Sequence, residues 1–330
     1  MSPLRRVSRR LMCRTMLGLP LALVGSRRSR AAPVADFHLP PKTTYRTAIV
    51  NGRSIFYREA GDASASTLVL LHGYPSSSHT YRELLPMLSR YHRVIAPDYL
   101  GSGYSDRPDP DGHTYTFDWL ADHVEELLQS LGVARYALYM QDFGAPVGFR
   151  LIVRHPQRVA AIIVQNANVY LDGLTDARQA FFRKAHEDRT AANIAALHAL
   201  VSREAVIERQ YLRDVPLARR EIMSPDSWTH DLAFLQTEKD RKIQVQLFQD
   251  YQSNINAYGT WQQVLRQHQF PALIVWGKRD PAFIAAGAKA YLRDLPNAEL
   301  HLIDAGHFAV EEKAAEIAQY VLDFMAKLPR

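Results

Sequence analysis

The chain has 330 residues, 47% of them hydrophobic, a single cysteine and a formal net charge of +6. That length suits one large core or a core with a lid, and one cysteine, Cys13, excludes a disulfide framework and a thiolate metal cluster. Eight arginines (5, 6, 9, 10, 14, 27, 28 and 30) and no acid lie in the first 35 residues, so the rest carries a formal charge of −2 and gives no sign of nucleic acid or another polyanion as partner.

The chain opens with MSPLRRVSRRLMCRTMLGLPLALVGSRRSRAAPVA, in which paired arginines precede an apolar stretch, Met16 to Val24, and a basic, small-residue run ending near Ala31, Ala32 or Ala35. The apolar part is too short to span a bilayer. It resembles a cleavable export signal of the twin-arginine kind, so residues 1–35 are expected to be a signal peptide and the protein periplasmic. A disordered basic tail on a cytoplasmic protein is the alternative. No other run approaches membrane-spanning length, so no stable membrane span is expected.

From Thr44 onward, short β-rich runs alternate with amphipathic helical stretches. TAIV and SIFYREAG read as an antiparallel pair turned at Asn51-Gly52. TLVLLHG (67–73), HRVIAPD (92–98), YALYM (136–140), VAAIIVQN (159–166), ALIVWG (272–277) and AELHLID (298–304) are continuous apolar runs of the sort buried on both faces of a parallel sheet. Between them, TFDWLADHVEELLQSLG puts Leu120, Val124, Leu127 and Leu131 on one helical face, with Thr116 to cap its start and Gly132 to end it. This alternation predicts an α/β fold with a mostly parallel eight-stranded sheet and helices on both faces. Residues 168–265 hold helical patterns and no strand, which predicts a helical cap over the carboxyl edge of the sheet, inserted between core segments 36–167 and 266–330.

Three acid and base positions fall at strand ends. Met140-Gln141-Asp142-Phe143-Gly144 resembles a nucleophile elbow, where a reactive side chain sits on a sharp strand-to-helix turn among small neighbours; Met140 is bulkier than that pattern favours. VWGKRDP puts Asp280 in the loop after one strand, and DAGHF puts His307 just after the last. Nucleophile, acid and histidine in that order suit a carboxylate at 280 that fixes the His307 tautomer and leaves its other nitrogen as a base. Each residue alone would read as a helix cap, a polar turn or a surface histidine.

With HGYPSSSHTYR, PDYLGSGYSDRP, QDFGAPVGFR, WGKRDP and GHF in this order, the sequence resembles the α/β-hydrolase superfamily over nearly all of residues 44–328, in its aspartate-nucleophile branch of epoxide hydrolases and haloalkane dehalogenases. The resemblance implies Asp142 as nucleophile, Asp280 and His307 as the water-activating pair, and backbone N–H groups of Tyr74 and Phe143 as oxyanion donors, with His72 as structural support. A carboxylate attacking a saturated carbon gives an ordinary alkyl ester, whereas attack on an acyl carbon would give an unstable anhydride, so substitution at sp³ carbon is expected.

The leaving group separates the two enzymes of this branch. A halide needs N–H donors, which the dehalogenases commonly take from a Trp after the nucleophile; Phe143 and Tyr74 have no side-chain N–H, leaving Trp228 and Trp261 of the cap as halide-binding candidates. An oxirane oxygen needs a proton, which epoxide hydrolases take from cap tyrosines. Tyr251 matches the later of these, with Tyr170 and Tyr211 as candidates for its partner. The expectation is an epoxide hydrolase with a small apolar substrate, water as co-substrate, and no metal or organic cofactor. A haloalkane or haloacid dehalogenase is the alternative, ester or lactone hydrolysis is a third, and a non-catalytic binder, which would usually lack a triad member, is a fourth.

Overall fold

A computed structural model describes residues 41–328; the expected export signal, with Cys13, lies outside the described residues. Eight strands form one sheet: β1 (Thr44–Val50), β2 (Arg53–Ala60), β3 (Thr67–Leu71), β4 (Arg93–Pro97), β5 (Tyr136–Gln141), β6 (Val159–Gln165), β7 (Ala272–Gly277) and β8 (Glu299–Ile303). Their spatial order is β1-β2-β4-β3-β5-β6-β7-β8. Only β2 runs antiparallel to its neighbours. Asn51 and Gly52 turn the opening hairpin with φ of 51° and 73°, as a two-residue turn with both central residues left-handed requires.

Helices cover both faces because alternate strand residues point opposite ways. Leu68, Leu70, Val94 and Tyr139 pack with α1 (Leu84–Leu88) and with α9 (Ala309–Ala326) near the end of the chain. Val69, Ile95, Leu138 and Ile162 pack on the other side with α2 (Phe117–Ser130) and α3 (Gly144–Arg154). Each such buried Leu, Ile or Val stabilises the fold by roughly 1.5–3 kcal/mol. The α2 boundaries follow their local signals: the Thr116 hydroxyl accepts the Trp119 N–H at 3.2 Å, and Gly132, just past the end, has φ 67°.

Between β6 and β7 every regular element is helical: a 3₁₀ turn (Leu171–Gly173), α4 (Asp176–Glu187), α5 (Ala191–Leu200), a π-helical turn (Ala205–Tyr211), a second 3₁₀ turn (Leu217–Ile222), α6 (Pro225–Ala233) and α7 (Glu238–His268). The remaining helix, α8 (Ala285–Ala290), follows β7. α7 departs from the sequence reading, because only part of it serves the cap. Its 31 residues contain no proline and a single glycine, Gly259, and it runs for about 46 Å. It starts in a capping box of Thr237 and Asp240 and ends at Gln269, whose φ is 46°. Its second half lies along α3 on the flank of the core: Trp261 stacks on Phe149 with centroids 5.3 Å apart, and Arg150 donates to Asn254 Oδ1 at 2.7 Å. No helix among the described residues is long and apolar enough to cross a membrane.

Candidate active site

β5 is buried along its whole length and delivers Asp142 to the turn before α3. Asp142 has φ 50°, a left-handed conformation that costs a non-glycine residue energy and is found where neighbours over-determine it. The bulk of Met140 is accommodated one strand-to-helix step away: a Cβ on Gly148 would stand 2.3 Å from the Met140 sulfur, so the smallness the elbow needs resides at 148. The Tyr74 backbone N–H donates to Asp142 Oδ1 at 2.7 Å. Phe143 follows as the residue that opens α3.

The loops after β7 and β8 bring Asp280 and His307 to the same place. His307 Nδ1 lies 2.7 Å from Asp280 Oδ2, and its Nε2 lies 3.6 Å from Asp142 Oδ2. Asp280 is held on every side: Oδ1 accepts from the N–H groups of Ala282 (2.7 Å) and Phe283 (3.0 Å), and Oδ2 also accepts from Asn166 Nδ2 at 2.9 Å. Asn166 ends β6 with φ 46° and takes the Gly277 N–H at 2.9 Å, which ties the two strand ends together. Asn166 escaped the sequence reading; an Asn at a strand end, tolerant of left-handed backbone, was the available signal.

All three groups are buried. Burial alone would favour a neutral imidazole, but the charges of Asp280 and Asp142 outweigh it and raise the His307 pKa to about 10. Burial likewise pushes Asp280 up, and the His307 charge with the donated hydrogen bonds brings its carboxyl below the usual range. The two acids thus favour the protonated imidazole over the neutral one. His72 is buried beneath the same loop: burial holds its pKa down, its Nε2 accepts the Tyr99 N–H at 3.3 Å, and its Nδ1 donates to Gly73 O at 3.1 Å.

From the cap, Tyr251 reaches this site. Its ring is stacked on Phe182 (3.8 Å between centroids) and lies 5.7 Å from Phe143. Its hydroxyl is buried and has no hydrogen-bond partner among the described residues. Burial, then Tyr258 and Asp142, push its pKa well above the ordinary phenol value. The expected partners are placed elsewhere. Tyr170 donates to Asp294 Oδ2 at 2.7 Å and packs against Tyr291, and Tyr211 donates to Asp231 Oδ2 at 2.5 Å while stacking on Phe308. Both hydroxyls are thus committed to buried carboxylates more than a dozen residues away in sequence. The phenol that acts on Tyr251 is Tyr258, two turns further along α7: each hydroxyl shifts the other's ionisation without closing to hydrogen-bond distance, and neither has another partner among the described residues. Trp261 is occupied on the core flank, and half-buried Trp228 packs edge-on to Tyr211, so neither indole is brought to Asp142.

Arg178, in the first turn of α4, also escaped the sequence reading. It is half-buried, lies 5.6 Å and 5.9 Å from the ring centres of Phe181 and Phe182, and has no carboxylate within 4 Å among the described residues. Burial and then Arg213 lower its pKa, while Asp280, Tyr251 and Asp142 work in the opposite direction.

An eight-stranded sheet with an acid on the elbow, a second acid and a histidine on later loops, and a helical insertion define an α/β-hydrolase, and the chain belongs to the alpha/beta hydrolase fold family, which matches residues 66–314. Within that family it is a hydrolase similar to several enzymes of small organic molecules. It is 35% identical to an uncharacterized hydrolase of Saccharomyces cerevisiae over 89% of this chain and 98% of the relative. It is 25% identical to a cis-3-alkyl-4-alkyloxetan-2-one decarboxylase of Shewanella oneidensis over 84% and 86%. In three dimensions it matches a loop variant of the haloalkane dehalogenase DbeA from Bradyrhizobium elkanii with a TM-score of 0.71, at 24% identity and over 86% and 98% of the two chains.

Proposed function

We propose that the protein hydrolyses epoxides to diols through a covalent Asp142 ester. The observation that carries this reading is the buried, unpartnered Tyr251 hydroxyl beside the elbow, where no side-chain N–H stands at 74 or 143. An alkoxide leaving group needs a proton, and a phenol oriented toward it can supply one.

In the first step an Asp142 oxygen attacks a ring carbon, the C–O bond breaks, and Tyr251 protonates the departing oxygen. Esterification removes the negative charge 3.6 Å from His307 Nε2, so the imidazolium loses the support that raised its pKa and releases a proton, restoring the phenol. His307 is then a neutral base in the step that needs one. It takes a proton from water, whose oxygen attacks the ester carbonyl of Asp142. The Tyr74 N–H, already aimed at this carboxylate, stabilises the oxyanion together with the Phe143 N–H. Collapse expels the alkoxide, which takes the proton of the newly formed Asp142 carboxylic acid to give the diol and leaves the carboxylate beside the imidazolium. The aromatic wall of Phe143, Phe182, Phe248 and Phe283 around Tyr251 and Tyr74 suits a small apolar substrate. The oxetanone relative is named for another strained ring with a carbon–oxygen bond to open.

Halide displacement is the second reading, favoured by Arg178, whose guanidinium offers the N–H donors that the tryptophans do not. The two are separated by turnover on a panel of terminal and disubstituted epoxides, chloroalkanes, bromoalkanes and haloacids. Diol formation that outpaces halide release by an order of magnitude or more is expected; the reverse ranking would replace the epoxide reading with the dehalogenase one.

A further inference from the structure

Among the cap residues that meet the segment around His307, one bonds directly to the histidine's own backbone and is left unused by the ester mechanism. Asp214, between the π-helical turn and the 3₁₀ turn of the cap, accepts the His307 backbone N–H on Oδ2 at 2.7 Å. Gly306 makes this approach possible, since a Cβ there would stand 2.4 Å from Asp214 Cγ. The carbonyl of the same residue accepts from Arg279 Nε at 3.0 Å, and Arg279 immediately precedes Asp280. Asp214 is therefore bonded through its side chain to the loop of the histidine and through its backbone to the loop of the acid.

The surrounding groups complete a clamp. Arg279 Nη2 meets Glu312 Oε2 at 2.5 Å, and Glu312 Oε1 accepts the Gly306 N–H at 2.6 Å. Asp304, which precedes the loop, binds Arg279 and also Arg219 of the cap, the latter at 2.8 Å. Asp214 and Arg219 are the cap's share of this network; the remaining groups belong to the core. On the core side the N–H groups of two successive residues, Gly306 and His307, each end on a carboxylate, one from α9 and one from the cap. A peptide plane fixed in this way fixes the root of the imidazole.

We infer that Asp214 is a positioning residue through which the cap sets the His307 loop for attack of water on the Asp142 ester. This rests on the ester mechanism proposed above, and it makes a selective demand. His307 acts as a base only after the ester has formed, so loss of Asp214 should slow ester hydrolysis while leaving ester formation, which needs Asp142 and Tyr251, close to its original rate. A merely structural contact would slow both steps together.

The experiment is single-turnover quench-flow on an epoxide substrate, with the ester quantified by intact-protein mass spectrometry, for the wild type, Asp214→Ala, Asp214→Asn, Gly306→Ala and His307→Gln. Leaving a buried N–H unpaired should slow ester hydrolysis by about 10- to 100-fold in Asp214→Ala. Ester formation should stay within about threefold. Asp214→Asn keeps a carbonyl acceptor and should restore most of the hydrolysis rate. Gly306→Ala, which pushes Asp214 away without removing it, should reproduce the selective defect if the alanine variant fails to fold. Should His307→Gln accumulate ester while Asp214→Ala and Gly306→Ala hydrolyse it at the wild-type rate, or slow both steps equally, the positioning role is overturned and the ester mechanism stands. Absence of ester in His307→Gln would overturn both.

Discussion

The two sides of the active site are built in opposite ways. On the core side the three triad side chains are held: Asp280 accepts four hydrogen bonds, His307 is bound through its ring and its backbone, and Asp142 takes the Tyr74 N–H. On the cap side the groups nearest the same carboxylate are open. The hydroxyl of Tyr251 has no partner and Arg178 has no carboxylate within 4 Å, among the described residues. Saturated groups keep one geometry and one ionisation state; unsatisfied buried groups cost energy until something meets them. In the mechanism proposed above, this difference corresponds to bond making by the core and recognition of the leaving atom by the cap.

Removing the core's central group should break that division most completely. Asp142→Asn is expected to lower kcat by about four orders of magnitude or more on every substrate, measured by diol formation at saturating epoxide. Opening the cap side should cost less and only in one step: Tyr251→Phe is expected to reduce epoxide turnover by about 100-fold, a general-acid effect, with the rate of ester hydrolysis within a few-fold of wild type in single turnover. A smaller effect is expected for Arg178→Ala, a reduction of about threefold to tenfold in epoxide turnover, because its charge supports the phenolate of Tyr251 only at a distance. Halide release falling a hundredfold in the same variant would instead make Arg178 the leaving-group donor.

The ionisation of His307 sharpens the comparison further. With its pKa raised to about 10 by its two carboxylates, the imidazolium should persist through neutral pH in the resting protein and titrate nearer the ordinary value in Asp142→Asn, as followed by NMR of the imidazole nitrogens. The linked stability has a defined sign. A group whose pKa is raised on folding stabilises fully below its unfolded value, about 6.5 for His, and its contribution is lost as pH rises through about 10. The stability gap between wild type and His307→Gln in urea should accordingly narrow between pH 6.5 and 10. At the elbow, Gly148→Ala should cost about 1–3 kcal/mol by crowding the Met140 sulfur, and Met140→Ala in the same chain should recover part of it.

What could be read from the sequence divides along the same line. Asp142, Asp280 and His307 each stand at the end of a strand that announces itself by a continuous apolar run, so chain order and local turn chemistry suffice to place them. Tyr251 is a candidate only through the resemblance of its segment to one that carries a cap tyrosine. Tyr170 and Tyr211 were legible as candidates but not as residues already committed to Asp294 and Asp231, because those carboxylates are 124 and 20 residues away and only helix packing brings them close. Arg178 and Asp214 had no local mark at all. One lies in the first turn of a cap helix and the other between two turns, and each matters only through contacts made across the cap. Met140 read as a departure from the elbow pattern because the compensating glycine sits eight residues later, on the next turns of α3.

The central claim, a covalent ester on Asp142, is tested most directly by one turnover in oxygen-18 water with enzyme in excess over epoxide, followed by digestion and mass spectrometry of the peptide containing Asp142. Label is expected in the Asp142 carboxylate, with none in the diol released in this first turnover. Label found in the diol, with the Asp142 peptide unlabelled, would mean that water attacks the substrate directly and would contradict the covalent ester.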